Sequence, residues 1–218
     1  HPECNVVHCP SLVDKIKFIL GFEFARPFAI GGSVHFDRFF DAIDHWAART
    51  PQAEATWFGG VVRTYAETAR DVDAFTRALV GSGVRKGDVV AVLTTPRPEF
   101  LVALAAIHKA GAIYVGLNPA YKLRELLHIA TDAKPVMVFS LAEFGDRRYA
   151  ADIDALRDQA PSIRATYRLD AGPGDGCLTA FEDFLARGTG VSADDLPTVD
   201  RMEPSTIVYT SEIGRAHV

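Results

Sequence analysis

Three unbroken apolar runs, Val89-Val90-Ala91-Val92-Leu93, Ile113-Tyr114-Val115-Gly116-Leu117 and Val136-Met137-Val138-Phe139, constrain this chain more than any other feature. A strand with one wet face alternates apolar and polar residues, and these do not, so both faces must be covered. Helical punctuation separates them. Pro98-Glu99 suits a first helical turn and its positive dipole end, the helix runs through Ala110, and Gly111 closes it. A second helix is predicted over Leu123 to Ala130, a third over Ala150 to Ala160, and a further strand over Thr166 to Leu169. Strand and helix in alternation predict a layered α/β fold around a parallel sheet.

The flanking segments carry local signals. Residues 1–33 read as irregular, with Gly31-Gly32-Ser33 as a break. Phe36, Phe39, Phe40, Ile43, Trp46 and Ala47 then recur at helical spacing up to Thr50-Pro51, where proline stops the helix. Ala55 to Phe58 and Val61 to Tyr65 flank Gly59-Gly60, a pair able to take the positive φ of a tight hairpin. Thr64 stands three residues before Glu67, the spacing of a capping box. The helix that follows buries Ala69, Val72, Phe75, Ala78 and Leu79, and Gly81 and Gly83 supply its stop. Further on, Gly172 to Gly176 predicts a turn-rich loop, Leu178 to Ala186 a short helix, residues 188–203 a polar surface connection, and Ile207 to Tyr209 a last strand.

Composition excludes several functions. The 218 residues carry a formal charge of -5 with both signs interspersed, so no basic stripe is available for nucleic acid. No apolar run is long enough to cross a bilayer, and the opening residues lack the pattern of a secretory signal. Three cysteines, Cys4, Cys9 and Cys177, make no disulfide framework and suit a reducing compartment. The expected home is the cytoplasm, with peripheral membrane contact still open. Position 1 is His rather than Met, so a processed or incomplete N-terminus is expected.

Candidate chemistry is sparse. His1, Cys4, His8 and Cys9 are all zinc-ligand types, but their spacing matches no usual pair of ligand couples, and an unstructured leader is the preferred reading. Gly172 to Gly176 lacks the lysine and hydroxyl residue of a Walker loop and reads as an ordinary turn. His45, His108 and His128 fall on predicted helices with no nucleophile motif nearby, and are expected at the surface or its boundary. Arg97, Glu99 and Lys109 are expected to cap and solvate helix ends. Thr206 to Tyr209 differs, because it ends in Thr210-Ser211. Ligands of parallel sheets gather beyond the carboxyl ends of strands, where two hydroxyls can donate to phosphate.

A series of motifs, each short, adds to this: Arg63-Thr64-Tyr65-Ala66-Glu67; Gly83-Val84-Arg85-Lys86-Gly87-Asp88 running into Val89 to Leu93; Arg97-Pro98-Glu99-Phe100; and Lys109-Ala110-Gly111-Ala112-Ile113-Tyr114-Val115-Gly116-Leu117-Asn118-Pro119-Ala120-Tyr121, followed by Glu125-Leu126. In order and spacing, residues from about 36 to 211 resemble the N-terminal part of the acyl-adenylate-forming enzymes, the AMP-dependent synthetase/ligase family of acyl-CoA synthetases, luciferases and nonribosomal-peptide adenylation domains. The resemblance implies ATP, Mg2+, a carboxylic acid and coenzyme A as ligands. It implies an acyl-adenylate made first and an acyl thioester second, and Thr210 and Ser211 as nucleotide-binding residues. The family loop reads Tyr-Thr-Ser-Gly-Thr-Thr-Gly-x-Pro-Lys-Gly, and Tyr209-Thr210-Ser211 fills its first three places.

The match then fails, with Glu212 at the next glycine and Val218 at the lysine. Glu212 to Val218 is also what a common sequencing adapter encodes, up to a stop codon, when one G precedes it. Residues 212–218 are therefore expected to be a non-native tail, residues 34–211 the N-terminal part of an AMP-binding domain truncated at its phosphate loop, and residues 1–33 an irregular lead-in. The expected parent is an ATP-dependent carboxylic acid–CoA ligase, with a fatty acid as the first choice of substrate and the chain alone inactive and exposing apolar surface. The alternatives are an adenylation enzyme loading a carrier-protein thiol, or a noncatalytic nucleotide-binding or interaction module.

Overall fold

The computed structural model describes residues 36–209. At its centre lies a five-stranded, wholly parallel sheet built from β3 (Val89–Leu93), β4 (Ile113–Leu117), β5 (Met137–Ser140), β8 (Ala165–Arg168) and β9 (Thr206–Ile207), in the order β8-β5-β3-β4-β9. A two-stranded hairpin, β1 (Glu54–Phe58) and β2 (Val61–Thr64), precedes it. A smaller one, β6 (Glu143–Phe144) and β7 (Arg147–Arg148), follows β5. The helices are α1 (Phe39–Arg49), α2 (Tyr65–Gly81), α3 (Pro98–Lys109), α4 (Leu123–Ala133), α5 (Ala150–Gln159) and α6 (Phe181–Ala186).

The pleat sends alternate side chains of each strand to opposite faces, and this splits the interior into two cores. Val90, Val92, Tyr114, Met137 and Phe139 join α1, α2, α3 and α6 on one side. Ala91, Leu93, Val115, Leu117 and Val138 join α4 and α5 on the other. On the first side Phe75, Phe139 and Phe184 form a cluster with ring centroids 4.8 Å apart. Because α3 is central, Leu101 to His108 are all buried and it has no wet face.

Local signals fix the boundaries. Thr64 caps α2, accepting from the Glu67 amide at 3.2 Å while Glu67 accepts from the Thr64 amide at 2.8 Å. After α2, the Val84 amide returns to Leu79 O and the Gly83 amide to Val80 O, a Schellman ending that needs the φ of +81° at Gly83. Gly81 has a different duty from the stop expected of it. A Cβ there would lie 2.0 Å from the Arg187 carbonyl oxygen, so its bare backbone admits the turn after α6.

Other elements depart from expectation. α4 runs to Ala133, past Ala130, and stops at Lys134, which takes φ 50° just before Pro135. Leu178 to Ala180 is not helical: Thr179 bridges to Tyr167 beside β8, and α6 begins only at Phe181. Lys109 does not simply solvate a helix end. Its ammonium meets Asp44 and Asp73 at 2.8 Å each, tying α3 to α1 and α2. Burial alone would lower the Lys109 pKa, and the two carboxylates override that and hold it above its usual value. The connection from α6 to β9 is tied down by basic residues. Arg77 donates to Val191 O, Lys86 to Thr198 O and Arg38 to Val199 O.

Among the described residues no helix is long and apolar enough to cross a membrane. Exposed apolar side chains gather at the first hairpin, where Trp57 and Val61 are 64% and 62% exposed.

Gly81→Ala separates close packing from helix propensity. In an open helix the change would stabilise by up to about 1 kcal/mol. Here the clash with backbone should lower unfolding free energy by about 1–3 kcal/mol in urea denaturation. A neutral or stabilising result would contradict the packing described.

Candidate functional site

All five strands run the same way, so their carboxyl ends share one edge of the sheet, the edge where ligands of open α/β folds collect. β9 reaches that edge as an outer strand with a short ladder: Thr206 pairs with Tyr114, Ile207 with Val115, and the Tyr114 amide donates to Ser205 O at 2.8 Å. Past it come Val208 and Tyr209. Thr210 and Ser211, the expected nucleotide-binding residues, and Glu212 to Val218 lie outside the described residues, as do His1, Cys4, His8 and Cys9.

Side chains compensate for the short ladder. Thr206 faces α3, where its hydroxyl lies 3.1 Å from His108 Nε2. Ile207 turns to the opposite core beside α4. His108 is therefore not the surface or boundary residue its sequence context suggests. It is 5% exposed, because α3 is enclosed on every side. Burial pushes its pKa down to about 4, against a smaller opposing effect of a backbone hydrogen bond at Ser205, so the ring is neutral at pH 7. Of the other histidines, His45 is half-buried on α1 and His128 is exposed on α4.

The loop leaving β4, next to β9, is latched from outside the sheet. Arg147 donates to Pro119 O at 3.0 Å and to Tyr121 O at 2.6 Å, and the Tyr149 hydroxyl donates to Pro119 O at 3.0 Å. Asp152 orients Arg147 at 2.6 Å. These contacts hold Asn118-Pro119-Ala120-Tyr121 at the edge where β9 emerges. Sequence reasoning missed both Arg147 and Tyr149, which sit far along the chain from the loop with no motif around them.

Other candidates are drawn elsewhere. Arg97 pairs with Glu99 at 2.8 Å and lies over the Phe58 ring at 5.8 Å, joining α3 to the first hairpin. A cavity of about 210 Å³ opens near there, lined by Arg63, Asp71, Phe75, Glu99 and Phe181 among others. It lies toward β8, with Leu169 in its wall, whereas β9 is the opposite edge. Burial raises the Asp71 carboxyl above its usual pKa despite the Arg63 guanidinium paired with it. The Gly172 to Gly176 loop wraps around a cation of its own: Arg168 donates to Pro173 O at 2.7 Å and Ala171 O at 3.3 Å. A loop aiming carbonyls at an arginine is not arranged to cradle phosphate with amides. Among the described residues no three or more His, Cys, Asp or Glu side chains gather where they could hold a metal ion.

Burial of neutral His108 couples this edge to pH. Unfolded, the ring titrates near 6.5, and folded near 4, so the stability it contributes is whole above pH 6.5 and declines as pH falls from there toward 4. Relative to pH 7.5, the fold should lose about 2 kcal/mol through this group at pH 5. His108→Gln should flatten that part of the pH dependence in urea denaturation. Parallel curves for the two proteins would contradict the assignment.

The comparisons with known proteins bear on the family and the fold. The AMP-binding enzyme family matches residues 43–211. Feruloyl-CoA synthase of an Amycolatopsis species is 32% identical over 146 residues, covering 62% of this chain and 28% of that protein. Chondramide synthase of Chondromyces crocatus is 31% identical over 199 residues, 83% of this chain and 5% of the synthase. The crystal structure of an anthranilate CoA ligase in complex with anthranoyl-AMP shares the fold with a TM-score of 0.68 at 22% identity, over 79% of this chain and 32% of that one. The chain thus spans less than a third of each of these proteins. With its parallel sheet, its motif series and a match over residues 43–211, the chain belongs to the AMP-binding enzyme family.

Proposed function

We propose that this chain forms part of the ATP-handling half of a carboxylic acid–CoA ligase, with Thr210 and Ser211 as donors to the nucleotide phosphates. The observation that carries the reading is β9, which runs parallel to β4 toward the carboxyl edge of the sheet, with Thr210 and Ser211 following Tyr209 in the sequence. A carboxylate oxygen of the acid attacks the α-phosphorus of ATP, and the bond to pyrophosphate breaks. The thiol sulfur of coenzyme A then attacks the acyl carbon and AMP leaves. Both the attack and the departure of pyrophosphate build negative charge on phosphate oxygens, and fixed hydroxyl and amide donors stabilise it without reorganising. Mg2+ would share that charge when bound, and among the described residues no three or more His, Cys, Asp or Glu side chains gather to hold it.

The acid is proposed to be hydrophobic, fatty or aromatic, in line with the feruloyl and anthranilate ligases that resemble the chain. ATP and coenzyme A as co-substrates fit a cytoplasmic setting. A second reading, transfer to a carrier-protein thiol, is favoured by the match to chondramide synthase over 83% of this chain.

The test uses the intact ligase with ATP, Mg2+, a panel of fatty and aromatic acids, and coenzyme A or a carrier protein. Acid-dependent pyrophosphate release followed by acyl-CoA formation is expected. Ser211→Ala should lower kcat/KM for ATP by about 10- to 100-fold, the cost of one lost phosphate donor. No pyrophosphate release with any acid would overturn the reading, and transfer to the carrier alone would favour the second.

A further inference from the structure

Among the described residues the ladder of β9 ends at Ile207, and Val208 beyond it is 57% exposed, so side-chain contacts help to set the direction in which the chain leaves the sheet. One of them is made by Tyr209. The Tyr209 hydroxyl donates to Asp132 Oδ2 at 2.5 Å, and the Tyr209 ring meets His128 edge-on, 6.4 Å between centroids at 74°. His128 and Asp132 are four residues apart on α4 and share one of its faces. α4 is a firm platform, because Leu126, Ile129 and Ala130 bury its other face and Glu125 accepts from the Lys122 amide at its start.

Two further observations give this contact weight. Asp132 stands in the last turn of α4, where the negative end of the helix dipole disfavours a carboxylate, so helix stability is no reason for an acid there. The strand is also gripped from both faces, by α3 through His108 and Thr206, and by α4 through Tyr209.

We propose that Asp132, supported by His128, is a positioning residue for the nucleotide site: it holds Tyr209, the residue that immediately precedes Thr210 and Ser211 in the chain. The proposal rests on the reading of Thr210 and Ser211 given above. The hydrogen bond is solvent-exposed and contributes little to global stability, so its effect is separable from folding.

Hydrogen exchange in the full 218-residue chain, without nucleotide, tests the clamp itself. Asp132→Ala should speed exchange across residues 205–209 about fivefold, the scale of one exposed charge-assisted hydrogen bond. Tyr209→Phe should match it, and the double variant should add nothing more. Asp132→Asn keeps an acceptor for the tyrosine hydroxyl and should stay close to wild type. In the intact ligase, Asp132→Ala should raise KM for ATP about tenfold and leave KM for the acid unchanged, and Asp132→Asn should restore most of the difference. Unchanged exchange in Asp132→Ala, additive effects in the double variant, or KM rising equally for ATP and acid would each overturn the proposal. An intact wild-type protein that releases no pyrophosphate would instead remove the reading of the loop, while the exchange data would still accept or reject the clamp.

Discussion

Every strand of the central sheet is parallel, so most strand side chains enter one of two dry layers, and both layers must be supplied by helices the chain sends to alternate faces. The rest of the structure follows from that demand. The first crossover, α3, lies among Val90, Val92 and Tyr114, and the second, α4, passes to the other side to cover Ala91, Leu93 and Val115. With α1 and α2 packed outside it, α3 becomes the innermost helix. That enclosure produces two features of interest, a neutral buried His108 and a Lys109 held between two carboxylates.

The same demand places the proposed nucleotide site. A parallel sheet opens all its strand-exit loops on one edge, and β9 is the last strand to arrive there, after a long excursion from the far edge of the sheet. Its ladder has only two paired positions among the described residues. The excursion is fastened by Arg77, Lys86 and Arg38, the strand by His108, and the exit by Asp132, all from earlier in the chain. The neighbouring exit loop is latched in a similar manner by Arg147 and Tyr149. Rigidity at this edge thus comes from side chains that reach across the fold, and little of it from the backbone of the loops.

Much of the architecture was legible because its signals are local. Gly59-Gly60, the Thr64 and Glu67 capping box, Pro98 and Gly111 each act within a few residues, and the structure puts the hairpin, the cap and the helix ends where those residues imply. α4 outran its apolar pattern because its last turn carries polar residues and its stop is a left-handed Lys134, a conformation the residue type does not announce. Leu178 to Ala180 has helical company in α6, yet Thr179 takes the hydrogen bonds offered by β8. The site was legible only in part. The strand can be read along the chain, but the burial of His108 depends on what packs around α3, and Asp132 meets Tyr209 across 77 positions. Contacts of that kind leave no periodicity in the sequence.

The proposed nucleotide site uses Thr210 and Ser211 as phosphate donors, while the glycine-rich loop at 172–176 serves only as a turn. Backbone amide shifts in the intact protein during titration with ATP test this most directly. Saturable shifts at Thr210 and Ser211, with Gly172, Gly174 and Gly176 unmoved, are the predicted result. Shifts confined to the 172–176 loop, or none at Thr210 and Ser211 at saturating ATP, would contradict it.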